Sequence, residues 1–305
     1  MSEVAKKPPD LRVVLRNAAK KALGGGLAGA LAMVVQVVAL MWMRTTINYQ
    51  HAKGLSTSQA LKALHAEGGI ARFYQGMWAA LLQAPLSRFG DTAANAGMNA
   101  LLETIDSMPP ALKTFCASLS AALFRIGITP IDTLKTTLQV QGSAGMAILY
   151  KRVAEEGPLT LYSGALGSSF ATLLGHYPWF ITYNFLDSRV PAAEGLLRKL
   201  RSAGIGFVCS ATSDVISNGV RVVKTAKQTS ETAVSYTGTA AKIIAEDGLA
   251  GLLFRGLSTK LLSNGLQAML FTICWRFFEE KINAMVARRR ALEEAKSKEE
   301  EAKAE

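Results

Sequence analysis

Residues 128–142 read ITPIDTLKTTLQVQG, and this stretch decides the fold. An apolar run ends here in Pro130, Asp132 and Lys135, the pattern P-x-D-x-x-K. Proline inside a helix removes a backbone donor and clashes with the preceding turn, which kinks the rod. Asp132 and Lys135 are three apart and share a helical face. A kinked apolar helix with a charged pair at its polar end suits a membrane helix whose tip meets other helices. In isolation the same residues read rather as a capped, proline-kinked helix end with a solvated ion pair. Repetition separates the two.

Basic residues close three apolar runs at Arg44, Lys135 and Lys224, 91 and 89 residues apart. Three further stretches, EGGIARFYQG, EEGPLTLYSG and EDGLAGLLFRG, end at Gly76, Gly164 and Gly256, 88 and 92 apart. Self-similarity at a fixed period marks a repeat architecture before any single motif does. The chain therefore divides into a basic lead-in (1–21), three repeats (22–104, 111–190 and 198–284) and a charged tail (285–305).

Each repeat reads as two long apolar helices around a shorter amphipathic one. The first has an uncharged run over 22–43, long enough to span a bilayer, a short amphipathic stretch near 58–66, and a second apolar helix over 77–102 that carries Arg88 and Asp91. The second has a helix from 111 through the proline signature, a short helix over 146–155, and an apolar run over 165–186. The third has a helix over 200–228, a linker, and a last span over 257–281. The tail is charged all round and reads as a solvated helix or a disordered end.

Composition agrees with a membrane protein that has a wet interior. Half of the 305 residues are apolar and 19% are charged, with a formal charge of +11; mean hydropathy is +0.20 and the pI is near 9.6. That is too apolar for an ordinary soluble domain and too polar for a bundle facing lipid on every side. Nucleic acid is excluded as a partner by the lack of zinc spacings and aromatic-interleaved basic strands; anionic lipid fits the basic excess better. Cys116, Cys209 and Cys274 lie singly in apolar segments, as buried hydrophobes rather than metal ligands. No nucleophile–base pair, metal spacing or phosphate-cradling loop points to an enzyme, and no cofactor or metal is expected.

The repeats and the P-x-D-x-x-K signature resemble the mitochondrial carrier family, over residues 22–284. The resemblance implies an all-α membrane protein of six transmembrane helices in three pseudo-symmetric repeats, with short matrix helices. It also implies transport of a small solute across the inner mitochondrial membrane by alternating access. In that family the acid of one odd helix pairs with the base of the next, closing the matrix side until substrate breaks the pairs. Here only the second repeat is intact. The same offsets read Ala39, Met41 and Arg44 in the first repeat and Gly219, Arg221 and Lys224 in the third. The expected gate is thus Arg44, Asp132, Lys135, Arg221 and Lys224, four positive charges to one negative, with Asp132–Arg44 as the one family-type pair. The aromatic-acid-x-x-base pattern of the cytosolic ends is lost or rebuilt: Tyr183–Asn184 lacks a base, and Trp275–Arg276 puts a base where the acid belongs.

The glycine-ended motifs, by the same resemblance, open helices whose free N–H groups hold cardiolipin at Gly76, Gly164 and Gly256; a tight turn alone also requires glycine there. Substrate-reading positions on the even helices map to Gln83, Arg88, Thr172, His176, Asn264 and Gln267. His176 reads as readily as a hydrogen-bonded packing residue. No cluster of arginines marks a carboxylate or nucleotide site, so a small or weakly charged solute is expected. The degenerate gates leave an alternative, a transport-inactive structural or docking subunit of an inner-membrane complex.

Arg125 and Asp214 each lie seven residues before a signature position and 89 apart, with Val34 in the third place. Charges in membrane helices usually face a wet interior and pair. The two are expected to meet across the cavity as a rebuilt gate or a clamp on the solute, or else each to meet water or backbone separately.

Overall fold

The computed structural model describes residues 26–102, 108–192 and 194–304. Helices α1 (Gly26–Lys53), α2 (Thr57–Arg72) and α3 (Met77–Leu102) form the first repeat. Helices α4 (Pro110–Gln141), α5 (Gly145–Glu156) and α6 (Ala165–Arg189) form the second. Helices α7 (Gly195–Gln228), α8 (Tyr236–Phe254) and α9 (Leu257–Ala304) form the third. No strand occurs among the described residues. The basic lead-in lies outside them.

Local sequence explains the short helices. Ser56 caps α2 in a box with Gln59, each satisfying a backbone N–H of the other. Gly68 and Gly69 then break α2 before its last turn. Ser235 caps α8 by accepting from the Gly238 N–H at 2.9 Å, so the stretch read as a linker is the third short helix. α4 runs through Pro130, and Pro85 and Pro178 sit inside α3 and α6.

The long helices close into a ring. The second long helix of each repeat packs on the first of the next: α3 on α4, α6 on α7, and α9 back on α1. The first helices α1, α4 and α7 also touch one another, which puts their signature residues at a common centre.

The ring is inverted relative to a soluble bundle. Gln139, Asn218, Gln228, Thr45, Thr129 and Thr133 are among its most fully buried side chains. Trp78, Leu82 and Leu86 stand exposed at helical spacing on α3, as do Phe115, Leu119 and Leu123 on α4 and Leu262, Met269, Ile273 and Phe277 on α9. Apolar patches of this extent mark membrane or protein contact.

By length and composition two segments can cross a membrane, Leu31–Lys53 and Leu112–Glu156, among the described residues. Six were expected. Polar lining lowers the average of others: α7 alone carries Asp214, Arg221, Lys224 and Lys227. The charged tail continues α9 as helix as far as Ala304.

Candidate functional site

The first two repeats share an internal hydrogen bond at equivalent places. Thr45 donates to the Phe73 carbonyl at 2.7 Å and Thr133 to the Leu161 carbonyl at 2.7 Å, each across 28 residues. These pairs set the first and second repeats 88 residues apart, the spacing of Gly76 and Gly164. In the third repeat, the Asn218 amide instead donates to the Leu253 and Arg255 carbonyls at 2.9 and 3.0 Å.

This register corrects the reading of the first signature. At 88 residues, Arg44 is equivalent to Asp132, and Ile47 to Lys135. A central cavity of about 250 Å³ is lined at those same steps: Arg44, Ile47, Asn48 and His51 from α1, then Asp132, Lys135, Thr136 and Gln139 from α4. Arg221, Lys224 and Thr225 of α7 follow in phase. Arg44 therefore holds an acid position, not a base position, and Arg221 holds another. The place equivalent to Arg125 and Asp214 likewise falls on Val37 rather than Val34.

Asp132 is the hub of the ring. Its carboxylate lies 2.7 Å from Lys135 of its own helix and 2.5 Å from Lys224 of α7. The expected Asp132–Arg44 pair is not the one formed: Arg44 donates from Nη2 to Gln267 Oε1 of α9 at 2.5 Å. The reason is the order of the repeats: the acid of α4 meets the base of the next repeat, Lys224, whereas Arg44 belongs to the preceding one. Lys135 also donates to Gln83 Oε1 at 3.3 Å. Arg221 donates from Nε to Ser217 Oγ at 3.2 Å.

Gln83, Thr172, Asn264 and Gln267 all line the cavity, on α3, α6 and α9. The side chain of Arg88 lies outside the described residues. His176 is not among the lining residues; its Nδ1 lies 3.0 Å from Ser118 Oγ, which fits the packing role. Arg125 lines the cavity, but the Asp214 carboxylate is engaged from α9. Lys260 Nζ lies 2.7 Å from its Oδ1, and Asn264 donates to its Oδ2. Asp214 thus sits in a cluster with Lys260 and Asn264. Lys260 and His51 are cavity residues that sequence reasoning missed. Lys260, a lone charge in the first turn of the last apolar span, was the available signal.

Where the sequence shows no run of arginines, the fold gathers Arg44, Arg125 and Arg221 around one space. The expectation of a weakly charged solute does not suit that wall.

Below the cavity, arginines fasten the repeats together. Arg72 donates to the Gln139 and Val140 carbonyls at 2.8 and 2.7 Å, at the end of α4, and holds Glu67 at 2.7 Å. Arg152 repeats this more loosely on the Gln228 and Ser230 carbonyls, at 3.4 and 3.2 Å, with Glu156 at 3.5 Å. Arg255 pairs with Asp247 at 2.6 Å and packs beneath Gly54 at the end of α1. Cations at helix C-termini satisfy otherwise free carbonyls and oppose the helix dipole. The acids are those of the repeated acid-glycine pairs Glu67–Gly68, Glu156–Gly157 and Asp247–Gly248.

Gly76, Gly164 and Gly256 have φ of +82°, +98° and +67°, and each abuts the first helix of the next repeat. A Cβ at Gly76 would lie 3.0 Å from Leu138 Cβ and 3.1 Å from the Lys135 carbonyl. The turn and the close approach together require glycine. At the start of α6 the Gly167 N–H already donates to the Tyr236 hydroxyl at 3.0 Å, so one of the free donors there is taken.

A profile of the family described as "Mitochondrial carrier protein" matches residues 106–192. The chain is 26% identical over 259 residues to the calcium-dependent mitochondrial ATP-magnesium/phosphate carrier protein 2 of Arabidopsis thaliana, covering 79% of this chain and 52% of that one. It is 23% identical over 289 residues to mitochondrial citrate transporter D of Aspergillus niger, covering 83% of this chain and 93% of the other. It is 25% identical over 260 residues to mitochondrial substrate carrier family protein C of Dictyostelium discoideum, covering 80% and 54%. The chain spans about half the length of the Arabidopsis and Dictyostelium relatives.

Proposed function

We propose that the chain is a mitochondrial carrier, as the family match over 106–192 and the similar carriers support, and that it carries a small solute across the inner mitochondrial membrane by alternating access. The long helices α1, α3, α4, α6, α7 and α9 would be its six spans, their exposed apolar residues facing lipid. One observation supports this reading above all. The polar cavity is walled by all three repeats and crossed by the Asp132–Lys224 bridge. Side chains from α1, α3, α4, α6, α7 and α9 converge on it, as a site between moving halves requires.

In this mechanism the bridge holds the first helices together at the matrix end. A solute that engages Gln83, Thr172, Asn264 and Gln267 shifts the balance between closed and open states by its differential affinity for them. Few ion pairs then need to be broken, which suits a gate reduced to one acid. Uptake of a broad solute panel into liposomes containing the purified protein tests the reading. Saturable uptake of at least one solute is expected; silence across the panel from folded protein would refute it.

Cardiolipin at Gly76, Gly164 and Gly256 belongs to the same reading, supported by the helix starts at all three. It should raise the melting temperature of the detergent-solubilised protein above that in neutral lipid. Equal melting would remove lipid from the scheme. A docking subunit of a membrane complex is the second reading, favoured by the arginines in two acid positions. It requires silent liposomes together with co-purification in a larger assembly.

A further inference from the structure

Arg44 and Arg221 stand where the repeat provides for carboxylates, and both line the central cavity. From this we infer that the solute is an anion with two or more negative charges on carboxylate or phosphoryl oxygens. Arg44 and Arg221 receive it. The inference rests on the carrier reading of the cavity and names the solute class.

Charge around the cavity supports it. Asp132 serves Lys135 and Lys224, and Asp214 serves Lys260. Arg44 and Arg221 are held by Gln267 and Ser217, which are neutral acceptors. Among the described residues no carboxylate lies within ion-pair distance of either guanidinium, and Asp214 and Asp132 act on Arg221 only from further off. Charge inside a membrane protein is costly unless it is compensated. The guanidinium fork matches carboxylate and phosphate oxygens in bidentate fashion, which selects that chemistry over a halide. His51 is buried on the same wall beside Asn218 and offers the solute a further polar contact.

Size narrows the class. At about 250 Å³ the cavity lies below the roughly 300–1,000 Å³ of common ligand sites. It suits a di- or tricarboxylate or a small phosphorylated compound. By occupying the acid positions, the anion would act as counter-ion to the two arginines that hold it.

Thermal unfolding of the purified protein with citrate, inorganic phosphate, glucose, lysine, and chloride at matched ionic strength tests this. Citrate or phosphate at millimolar concentration should raise the melting temperature beyond chloride, saturably, while glucose and lysine should not. A response to citrate alone assigns carboxylate, and to phosphate alone phosphoryl. Arg44→Gln and Arg221→Gln should each weaken half-saturation about tenfold, the loss of a charged hydrogen bond. Non-specific stabilisation by excluded salts would survive in both variants, and that result would overturn the inference. So would a wild-type protein that answers citrate and phosphate no more than chloride. Liposome uptake separates this inference from the carrier reading. Anion-dependent melting with silent liposomes leaves the anion site standing and removes transport. Uptake of a neutral or cationic solute without anion-dependent melting does the reverse.

Discussion

Asp132 of α4 lies 2.5 Å from Lys224 of α7 while holding Lys135 of its own helix at 2.7 Å, so one carboxylate joins two repeats. Asp132→Asn strands two ammonium groups in a largely enclosed site, and removing one partner of such a pair costs about 3–5 kcal/mol. Lys224→Gln frees one oxygen and should cost less. The double mutant should lose less than the sum, with a coupling of roughly 1–3 kcal/mol in a thermal or denaturant cycle. Strict additivity would show that the bridge does not form.

The register makes a directional claim about Arg44. It occupies an acid position, and the base of the next repeat is Lys135. Arg44→Asp should therefore restore a family-like pair and raise the melting temperature of the empty protein. Arg221→Asp should raise it less, because the base position facing it is Ile47. The opposite order would return Arg44 to a base position.

The arginine latches should differ in strength. Arg72 makes carbonyl bonds of 2.7 and 2.8 Å, whereas those of Arg152 are 3.2 and 3.4 Å. A hydrogen bond to a charged group contributes about 1.5–3 kcal/mol, so Arg72→Ala should lower stability by about 3 kcal/mol and Arg152→Ala by clearly less. Arg72→Lys should rescue poorly, since a point charge cannot span two carbonyls. Equal losses at the two sites would contradict the geometry.

Glu67 gives stability a pH dependence of known sign. Burial would raise its carboxyl, but hydrogen bonds from Tyr49 and Arg72 outweigh that and hold it below the ordinary value of 4.5. A depressed carboxylate contributes stability that is present above its unfolded value and lost as pH falls through the folded one. Melting temperature should fall below about pH 4.5, and Glu67→Gln should flatten that part of the curve. An unchanged acid limb in the variant would separate Glu67 from it.

Much of the fold was legible because period and punctuation are chain-wide signals. The glycine ends at 76, 164 and 256 located three helix starts, and the apolar run 77–102 matches α3. The register of the first signature was not read correctly. A shift of three residues is nearly one helical turn, so it leaves the same side chains on the same face. Apolar periodicity cannot detect it. The two rulers did disagree, 91 residues between Arg44 and Lys135 against 88 between Gly76 and Gly164, and the Thr45 and Thr133 bonds settle the matter for the glycines. Gln83, Thr172, Asn264 and Gln267 were mapped by the resemblance to positions on the even helices, and all four line the cavity. The Asp214–Lys260–Asn264 cluster was not, since its partners come from α7 and α9, which only the closed ring brings together.

The carrier reading is tested most directly by blocking the cavity. Thr172 lines it from α6 and is buried, its hydroxyl bonded to the Ser168 carbonyl. Thr172→Trp would fill the space with an indole, and thermal unfolding would confirm that the variant is folded. Uptake of citrate, phosphate and neutral solutes would then be compared between wild-type and Thr172→Trp proteoliposomes. The expected result is saturable uptake by the wild type that is lost in the filled variant. Uptake that persists unchanged through the filled cavity, or its absence from folded wild-type protein, would contradict transport through this site.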